Sequence, residues 1–194
     1  MPAEFLTTAT PDLYAEVHRV IAAVVELGGA VGWLHVPDER ETAAFLDEQL
    51  ALANDGDGAV AVVRHEGRVE AFGVWNRFHA PVIRQNAEIR KVMTHPAARG
   101  LGLARTLVTA LTEHAADEDI EVLMLDARGN NHGAHALYES LGFVRCGVIP
   151  DFIAVGDERW DRVLFSKRLN TPENAVLHGS ERVGPGASDV RPKT

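Results

Sequence analysis

The chain is predicted to form a mixed α/β sheet flanked by helices, and three observations predict it. Apolar runs typical of strands alternate with helical patterns along the second half of the sequence. The run from Ile120 to Leu125 is almost continuously apolar, as in a strand that is buried on both faces. The order helix, helix, hairpin, strand, helix, strand, helix and strand pair indicates helices packed on one sheet.

Two helices are predicted before the sheet. The first spans Pro11 to Leu27, where apolar residues recur at helical spacing and Gly28-Gly29 end the pattern. The second begins after Asp38, its N-cap, with Glu41 three residues later. It continues to about Asn54, where a segment rich in Asp and Gly breaks it.

The remaining elements alternate between strand and helix. The predicted strands are 59–65 and 69–78, joined at Glu66-Gly67-Arg68 as a hairpin, followed by 89–94, 120–125, 143–149 and 160–169. Helices are expected near 104–115 and near 134–141, the second with Gly142 as its stop. We expect residues 1–170 to form one domain and residues 171–194, which are poor in apolar side chains, to form a mobile tail.

Composition and charge exclude several classes of function. The chain of 194 residues has a formal charge of −9, and residues 11–58 hold ten acidic residues and two arginines, a local net of −8. This argues against nucleic acid as a partner and suits a cationic acceptor, although solvated helix faces also explain it. No segment is long and apolar enough to suggest a membrane span or a signal peptide, and the single cysteine allows no internal disulfide. A cytoplasmic location is therefore expected.

A glycine loop between a strand and a helix is the feature most informative about function. The loop reads Arg99-Gly100-Leu101-Gly102-Leu103-Ala104, and helical periodicity begins at once. The first N–H groups of a helix lack internal partners and carry the positive end of its dipole, so they bind anions. The two glycines permit positive φ, and Arg99 adds donors that suit phosphate oxygens. The segment predicts a diphosphate site, with a tight turn that binds nothing as the alternative.

Two common phosphate-binding patterns do not fit this loop. A P-loop requires Lys followed by Ser or Thr, and a dinucleotide fingerprint requires Gly or Ala where Arg105 stands. The loop instead resembles the pyrophosphate loop of the GNAT acyltransferase superfamily, written Q/R-x-x-G-x-G/A, through Arg99, Gly102 and Ala104. A second segment, NHGAHALYESLGF from Asn131, is similar to the family's N-x-x-A-x-x-L-Y-x-x-x-G-F signature.

The resemblance extends from about Ala87 to Leu169, and the weaker N-terminal half fits the family's order of elements. Residues 28–33, 88–93 and 148–150 also resemble the tabtoxin-resistance branch of the superfamily. The family fold has a mostly antiparallel mixed sheet that is splayed between its two central strands. Homodimers are common in it, so a dimer is one expectation for this chain.

The resemblance implies an acetyl-CoA-dependent N-acetyltransferase that transfers acetyl directly to an amine, expected to belong to a small molecule. A protein or peptide acceptor, a toxin- or antibiotic-inactivating role and a non-catalytic acyl-CoA sensor are the alternatives. The cofactor-binding positions that it implies are backbone groups of Val92, Met93 and Thr94, the loop residues Arg99, Gly100, Leu101, Gly102, Leu103 and Ala104, and Asn131.

Acetyl transfer to an amine requires a base for the amine, donors for the oxyanion and a proton for the leaving thiolate. Tyr138 is the candidate general acid, although its helical spacing with apolar residues also suits a core position. Glu88 is the candidate base, with an ion pair to Arg84, Arg90 or Lys91 as the alternative. Asp126, at the end of a buried strand, is a third candidate; it could instead cap the turn at 127–129. By family resemblance, the Met93 N–H is the candidate oxyanion donor.

Other chemistry-bearing residues receive structural or peripheral roles. His132 and His135 could share a ligand, but no third metal ligand stands at suitable spacing, so no metal is expected. His95 lies beside the loop and could contact the cofactor, and Cys146 is expected to be a buried structural thiol. Residues of the N-terminal half could line the acceptor pocket, or in the case of the tryptophans pack the core: Trp33, His35, Trp75, Asn76 and Phe78.

Overall fold

The computed structural model describes residues 1–29 and 31–169 as a mixed sheet with helices on both faces. The strands are β1 (Ala3–Leu6), β2 (Gly58–His65), β3 (Arg68–Arg77), β4 (Asn86–Thr94), β5 (Val122–Arg128), β6 (Val144–Val155) and β7 (Glu158–Arg168). The helices in this part of the chain are α1 (Pro11–Glu26), α2 (Glu39–Asn54), α3 (Leu103–Asp117) and α4 (His132–Ser140). The expected α/β class is confirmed, and the expected tail lies outside the described residues.

The sheet is antiparallel except at its centre. Its strand order is β1-β2-β3-β4-β5-β7-β6, and β4 and β5 are the parallel pair. They pair at three positions, ending with Glu88 opposite Met124, although β4 continues to Thr94 and β5 to Arg128. The two central strands therefore part after Glu88, which is the splayed sheet that the family resemblance implies.

A β-bulge lies in β4 where the strands have parted. Phe72 of β3 pairs with Met93 and Val74 pairs with Arg90, so two β4 residues oppose Gly73. One of the two, Lys91, has φ 57°, a left-handed conformation that is unusual for lysine. The bulge redirects the backbone and side chains of β4 beside the gap.

Two apolar cores lie on opposite faces of the sheet. On one face α3 packs on β2, β3 and β4, and the same core continues across β5 and β7 to α4, with Leu123, Leu125 and Phe165 fully buried or nearly so. On the other, α1 and α2 pack on β2, β3 and β4. Because side chains alternate along a strand, Asp126 points away from α3 and α4, toward the side that α1 and α2 leave open over β5 and β7.

Local sequence determines the helix starts. Asp38 caps α2, and its carboxylate accepts from the N–H of Glu41 at 2.7 Å, while the Glu41 side chain accepts from the Asp38 N–H at 2.9 Å. The expected capping box is confirmed. Thr10 caps α1 in the same manner, through a hydrogen bond from Leu13. None of the described helices is long and apolar enough to cross a membrane.

Several boundaries differ from those expected. β1 was not predicted because its alternation is short and Leu6 is its one buried residue. β4 begins three residues before Ile89. β5 is displaced toward its C-terminus, since Ile120 is buried in the turn before the strand. Cys146 is exposed, not buried, because it lies in β6, an edge strand whose register slips between Arg145 and Gly147.

Candidate active site

The glycine loop turns directly into the first turn of α3. Gly100 and Gly102 have φ of 84° and 78°, and Gly102 is the residue that caps the helix, with no side-chain acceptor for the helical N–H groups. A Cβ at either glycine would meet nothing within 4 Å, so backbone conformation, not crowding, explains the choice of glycine. The N-terminal donors of α3 are left available for an anion.

A cleft of about 360 Å³ opens at this helix terminus. It is lined by Thr94, Ala98, Arg99, Gly100, Gly102, Leu103, Ala104, Arg105, Gly133 and Leu137. Five of the six expected loop residues line it, whereas Leu101 does not and is 49% exposed. Arg99 is exposed, and its side chain has no hydrogen bond or ion pair to any described residue. The cleft therefore combines backbone donors with an arginine whose donors are uncommitted.

Of the other expected cofactor positions, Thr94 lines this cleft, whereas Val92, Met93 and Asn131 do not. Thr94 lines it from the end of β4, where its strand no longer pairs with β5. The Met93 side chain is 2% exposed within the core under α1 and α2, so this residue can offer a ligand only its backbone. Asn131 caps α4, and its side-chain oxygen accepts from Ala134 N at 3.2 Å. The Asn131 amide nitrogen remains a possible donor for a ligand, and these assignments stay predictions.

Two carboxylates and an arginine meet beside the last paired residues of the central strands. Arg162 of β7 donates from Nη2 to Glu88 Oε1 at 3.1 Å and to Asp126 Oδ1 at 2.6 Å. All three side chains are between 22% and 28% exposed. Arg90 lies 3.7 Å from the second Glu88 oxygen. Glu88 and Asp126, chosen separately from the sequence, are thus brought together, and Arg162 is the residue that sequence reasoning missed.

The ion-pair alternatives raised for the two acids are partly correct. Glu88 does pair with Arg90, but its shorter contact is to Arg162, and Arg84 bonds Asp57 at 2.7 Å instead. Asp126 lies inside β5 and bonds Arg162, so it does not cap a turn at 127–129. Sequence separations of 74 and 36 residues hid both contacts to Arg162.

Burial is the main reason that the pKa of Glu88 is raised above its usual value, and the Asp126 charge raises it further. Arg162 and Arg90 oppose this effect by favouring the carboxylate. Arg162 itself stays cationic, since its hydrogen bond to Asp126 raises its pKa. A general base is most effective when its pKa lies near the working pH. The raised pKa of Glu88 is therefore closer to that of an effective proton acceptor at neutral pH than the pKa of an exposed glutamate is.

Tyr138 projects from α4 into the core beneath the cleft. It is 5% exposed and packs against the rings of Phe143 and Phe165. Burial, and to a lesser degree the Asp126 charge, raises the pKa of its phenol, so the hydroxyl remains protonated across the physiological range. Tyr138 is therefore a core residue whose hydroxyl stays protonated, and its role as a proton donor stays a prediction.

Lys91 connects the bulge in β4 to the loop between α1 and α2. Its ammonium donates to the Val31 carbonyl and lies 3.9 Å from the centroid of the Trp33 ring, and Trp33 meets Phe45 edge to face. Burial, followed by the charge of Arg90, lowers the pKa of Lys91 to about 8. On the β5 side, Arg128 donates to the Gly28 carbonyl at 3.3 Å. Cations from both parted strands thus hold described parts of this loop.

The residues expected to line the acceptor pocket lie in different surroundings. Trp75 is fully buried in the core on the α3 side, so the core alternative holds for it. Trp33 is partly exposed beside Lys91, and Asn76 bonds Gln49 at 3.0 Å. His35 has a side chain that is 76% exposed. Trp33 reaches β4 through its side-chain contact with Lys91, whereas Trp75 and Asn76 pair with Ile89 and Glu88 through the β3–β4 ladder.

The histidines near the cleft make structural contacts. The rings of His132 and His135 lie 6.0 Å apart, and His135 Nε2 lies 3.1 Å from the Arg128 carbonyl. Within residues 1–29 and 31–169, no group of three or more His, Cys, Asp or Glu side chains could hold a metal ion. His95 lies 3.5 Å from Glu70, and its Nδ1 accepts from Ala97 N just before the glycine loop.

The fold and the glycine loop agree with the family that the chain matches. The description of that family is Acetyltransferase (GNAT) family, and the match covers residues 27–143. The chain belongs to this family. The match includes α2, the splayed strands, the glycine loop and the segment from Asn131 to Phe143, which contains α4.

Three similar proteins show how varied the relatives are. A mycothiol acetyltransferase from Paenarthrobacter aurescens is 35% identical over 96 residues, which cover 47% of this chain and 28% of that protein. A ribosomal-protein-alanine N-acetyltransferase from Brucella melitensis has a TM-score of 0.77 at 24% identity, covering 87% of this chain and all of its own. A phosphinothricin acetyltransferase from Sinorhizobium meliloti in complex with acetyl-CoA has a TM-score of 0.71 at 19% identity, with coverages of 87% and 89%. At these identities the two structures show a shared fold.

Proposed function

We propose that this protein is an acetyl-CoA-dependent N-acetyltransferase that transfers acetyl directly to an amine of a small molecule. The observation that carries the proposal is the gap between β4 and β5, which opens beside the uncapped N-terminus of α3. A gap between strands exposes backbone groups that can pair with an extended amide-containing chain, and the helix terminus can hold its diphosphate.

The donor is proposed to lie in the cleft of about 360 Å³. Arg99 and the backbone from Gly100 to Ala104 would bind its diphosphate, because the α3 donors and the uncommitted guanidinium face one region. Backbone groups of Val92, Met93 and Thr94 would bind the pantetheine arm from the unpaired side of β4, and Asn131 would contribute its amide nitrogen. The relative from Sinorhizobium meliloti, solved with acetyl-CoA, supports this choice of donor.

Three groups of this chain then supply the chemistry of transfer. Glu88, with its raised pKa, accepts the amine proton, directly or through a water molecule, so that the amine lone pair can attack the thioester carbon. The Met93 N–H donates to the oxyanion that forms on the carbonyl oxygen. As the carbon–sulfur bond breaks, Tyr138 hydrogen-bonds or protonates the departing thiolate. A phenolate left by proton transfer regains a proton from solvent, and Glu88 releases the amine proton there. Asp126 holds the Arg162 cation beside Glu88 and favours a cationic acceptor.

A small amine is the proposed acceptor, and the identity of that amine is left to experiment. The names of the relatives include mycothiol and phosphinothricin, which are small molecules, and also ribosomal-protein alanine. The chain aligns with 28% of the length of the mycothiol relative, so that protein's activity does not transfer to it directly. The local charge of the N-terminal half favours a cationic acceptor over an anionic one. The tabtoxin-resistance likeness makes an amino acid–like amine the first class to test.

The remaining parts of the proposal concern the setting of the protein. We propose a cytoplasmic location and action without nucleic acid, consistent with the excess of acidic residues. A homodimer is compatible with the exposed edge strand β6, and sedimentation of the purified chain measures it.

The test combines binding and turnover. Thermal unfolding is followed with and without acetyl-CoA for the natural chain, for Arg99→Ala and for Arg145→Ala, which removes an exposed arginine that does not line the cleft. A ligand that binds the folded state raises the melting temperature, so the natural chain and the Arg145 control should shift more than Arg99→Ala. Thiol release is then measured with a panel of amino acids, aminoglycosides and peptides.

The outcomes separate the candidate functions. Thiol release with small amines supports the proposal, whereas release confined to peptides favours a protein acceptor. A thermal shift without release across the whole panel favours a non-catalytic sensor. The absence of any shift in the natural chain would remove the donor site and the proposal with it.

A further inference from the structure

Arg162 fastens the two central strands at the place where their backbone pairing ends. Glu88 is the last β4 residue that pairs with β5, and Asp126 lies two residues beyond its partner Met124. The Arg162 guanidinium binds one oxygen of each carboxylate, at 3.1 Å and 2.6 Å. A side chain from β7 thus continues the connection between β4 and β5 after the hydrogen bonds of the ladder have stopped.

The position of this guanidinium is fixed from several directions. Arg162 pairs in register with Arg128 of β5 and with Ile149 of β6, so its backbone is held on both sides. The ring of Phe152 lies 5.5 Å from the guanidinium carbon. Arg162 Nη2 binds one Glu88 oxygen and Arg90 lies 3.7 Å from the other, so the Glu88 carboxylate is held from two sides beside the gap.

We propose that Arg162 is a positioning residue of the acetyl-transfer reaction, which aims the Glu88 carboxylate at the acceptor amine and keeps it ionised beside Asp126. The inference rests on the proposed role of Glu88 as the base. In this account Arg162 acts through Glu88 and not on the reacting atoms, because its Nη2 is bound to the Glu88 and Asp126 carboxylates.

The charges around Glu88 define what Arg162 does. Asp126 on β5 opposes ionisation of Glu88, whereas Arg162 on β7 and Arg90 on β4 favour it. Lys91 is the next cation along β4, and the β3 residue that pairs with Glu88 is the neutral Asn76. Loss of Arg162 would leave two neighbouring carboxylates with Arg90 as the closer remaining cation. Loss of the Asp126 charge would instead leave the Arg162 cation to Glu88 alone.

These relations give opposite expectations for two variants. Arg162→Met should raise the pKa of Glu88 by about one unit or more, as expected when an opposite charge in contact is removed. Asp126→Asn should lower it. Arg168→Met is the matched control, since it makes the same change on the same face of β7, six positions away at an exposed residue. Arg162→Lys keeps the positive charge without the planar guanidinium, so the Glu88 pKa should stay close to its value in the natural chain.

Two measurements follow these variants. The first is the titration of glutamate side-chain carbons by ¹³C NMR in the absence of substrate, with the Glu88 signal assigned by its loss in Glu88→Gln. The second is the pH profile of kcat/KM, whose acidic limb should move up in Arg162→Met, move down in Asp126→Asn and stay in place in Arg168→Met. Circular dichroism before each series confirms that every variant is folded.

The results distinguish the inference from the proposed function. If the Glu88 titration keeps its position in Arg162→Met, or if both variants move it in one direction, Arg162 does not have the proposed role. If the titration moves as expected but Glu88→Gln retains the acidic limb, Glu88 is not the base; the role of Arg162 in Glu88 ionisation then stands while its catalytic significance is lost. Should Arg162→Met fail to fold, Arg162→Gln removes the same charge with a polar side chain, and its expected rise in the Glu88 pKa is again opposed to the fall expected in Asp126→Asn.

Discussion

The two faces of the sheet hold their functional groups in different ways. On the α3 and α4 side, the cleft is made mainly of backbone: two left-handed glycines, the first turn of α3 and the unpaired edge of β4. On the side that α1 and α2 leave open, the groups are side chains from three strands, Glu88, Asp126 and Arg162. Backbone sites leave a contiguous motif in the sequence, whereas side-chain clusters assembled from distant strands do not.

If the two faces act separately, Glu88→Gln should remove catalysis without changing the affinity for the acetyl donor. The amide cannot accept the amine proton, so we expect kcat to fall by about 10²- to 10⁴-fold. The acidic limb of the natural profile should also disappear, because the raised pKa of Glu88 makes the base active above that pKa and inactive below it. The dissociation constant of CoA, measured by calorimetry, should be unchanged. Weakened CoA binding would contradict the separation of the two faces.

Gly102→Val should have the converse effect. A side chain at φ 78° is strained, and its accommodation moves the backbone donors at the start of α3. We expect CoA affinity to fall by about 10- to 100-fold, corresponding to roughly 1.4–2.8 kcal/mol. Gly156→Val, at another left-handed glycine in the β6–β7 turn, is the matched control and should leave CoA affinity unchanged. Equal losses in both variants would mean that general strain, not the loop, is responsible.

Tyr138 lies on the donor side but is proposed to serve the reaction, so Tyr138→Phe sharpens the comparison. The ring contacts with Phe143 and Phe165 are kept, and stability should change little. We expect kcat to fall by about tenfold, the lower end for a hydrogen bond to a charged group. Because burial keeps the phenol protonated, its titration should not appear below pH 10 in the natural profile. Unchanged kcat would leave Tyr138 with a packing role alone.

The smallest expected effect concerns Lys91. Its ammonium lies over Trp33, and burial lowers its pKa to about 8, so the charge is lost as the pH rises through that value. We expect tryptophan fluorescence to change with a midpoint near pH 8, and the transition to be absent in Lys91→Met. The Lys167→Met variant retains the contact and should keep the transition. A few-fold rise in acceptor KM with unaltered CoA affinity would place Lys91 on the acceptor side.

The same contrast explains what could be predicted from the sequence. The helix order and the capping box were accessible because periodicity and caps are local signals, whereas the splayed sheet was expected from the family resemblance alone. Two predictions failed where the tertiary context decides the outcome. β1 was missed because it has one buried residue, and Cys146 is exposed because its strand lies at an edge of the sheet. Those outcomes depend on neighbours, which sequence patterns do not specify.

The acidic pair shows the limit for the site. Glu88 and Asp126 could be chosen as candidates because Glu88 lies at the start of one predicted central strand and Asp126 at the end of the next. Arg162 could not, since arginines in an alternating strand have no distinctive pattern and its two partners are distant in sequence. A rule that could have found it is the need of two neighbouring carboxylates for a shared cation. The assignment of catalytic and cofactor-binding roles stays a prediction until the variants are measured.

Because the parallel ladder is short, the exchange of backbone amide protons in β4 should report whether a ligand lies in the gap between β4 and β5. Beyond Glu88, the β4 main-chain groups that face the gap have no partner strand in β5. Such amides exchange with deuterated water through solvent contact rather than through unfolding, whereas those paired with β3 wait for an opening of the sheet. A chain of amides laid into the gap would slow the first class and leave the second nearly unaltered, so mass spectrometry of this one strand would distinguish an empty molecule from a loaded one.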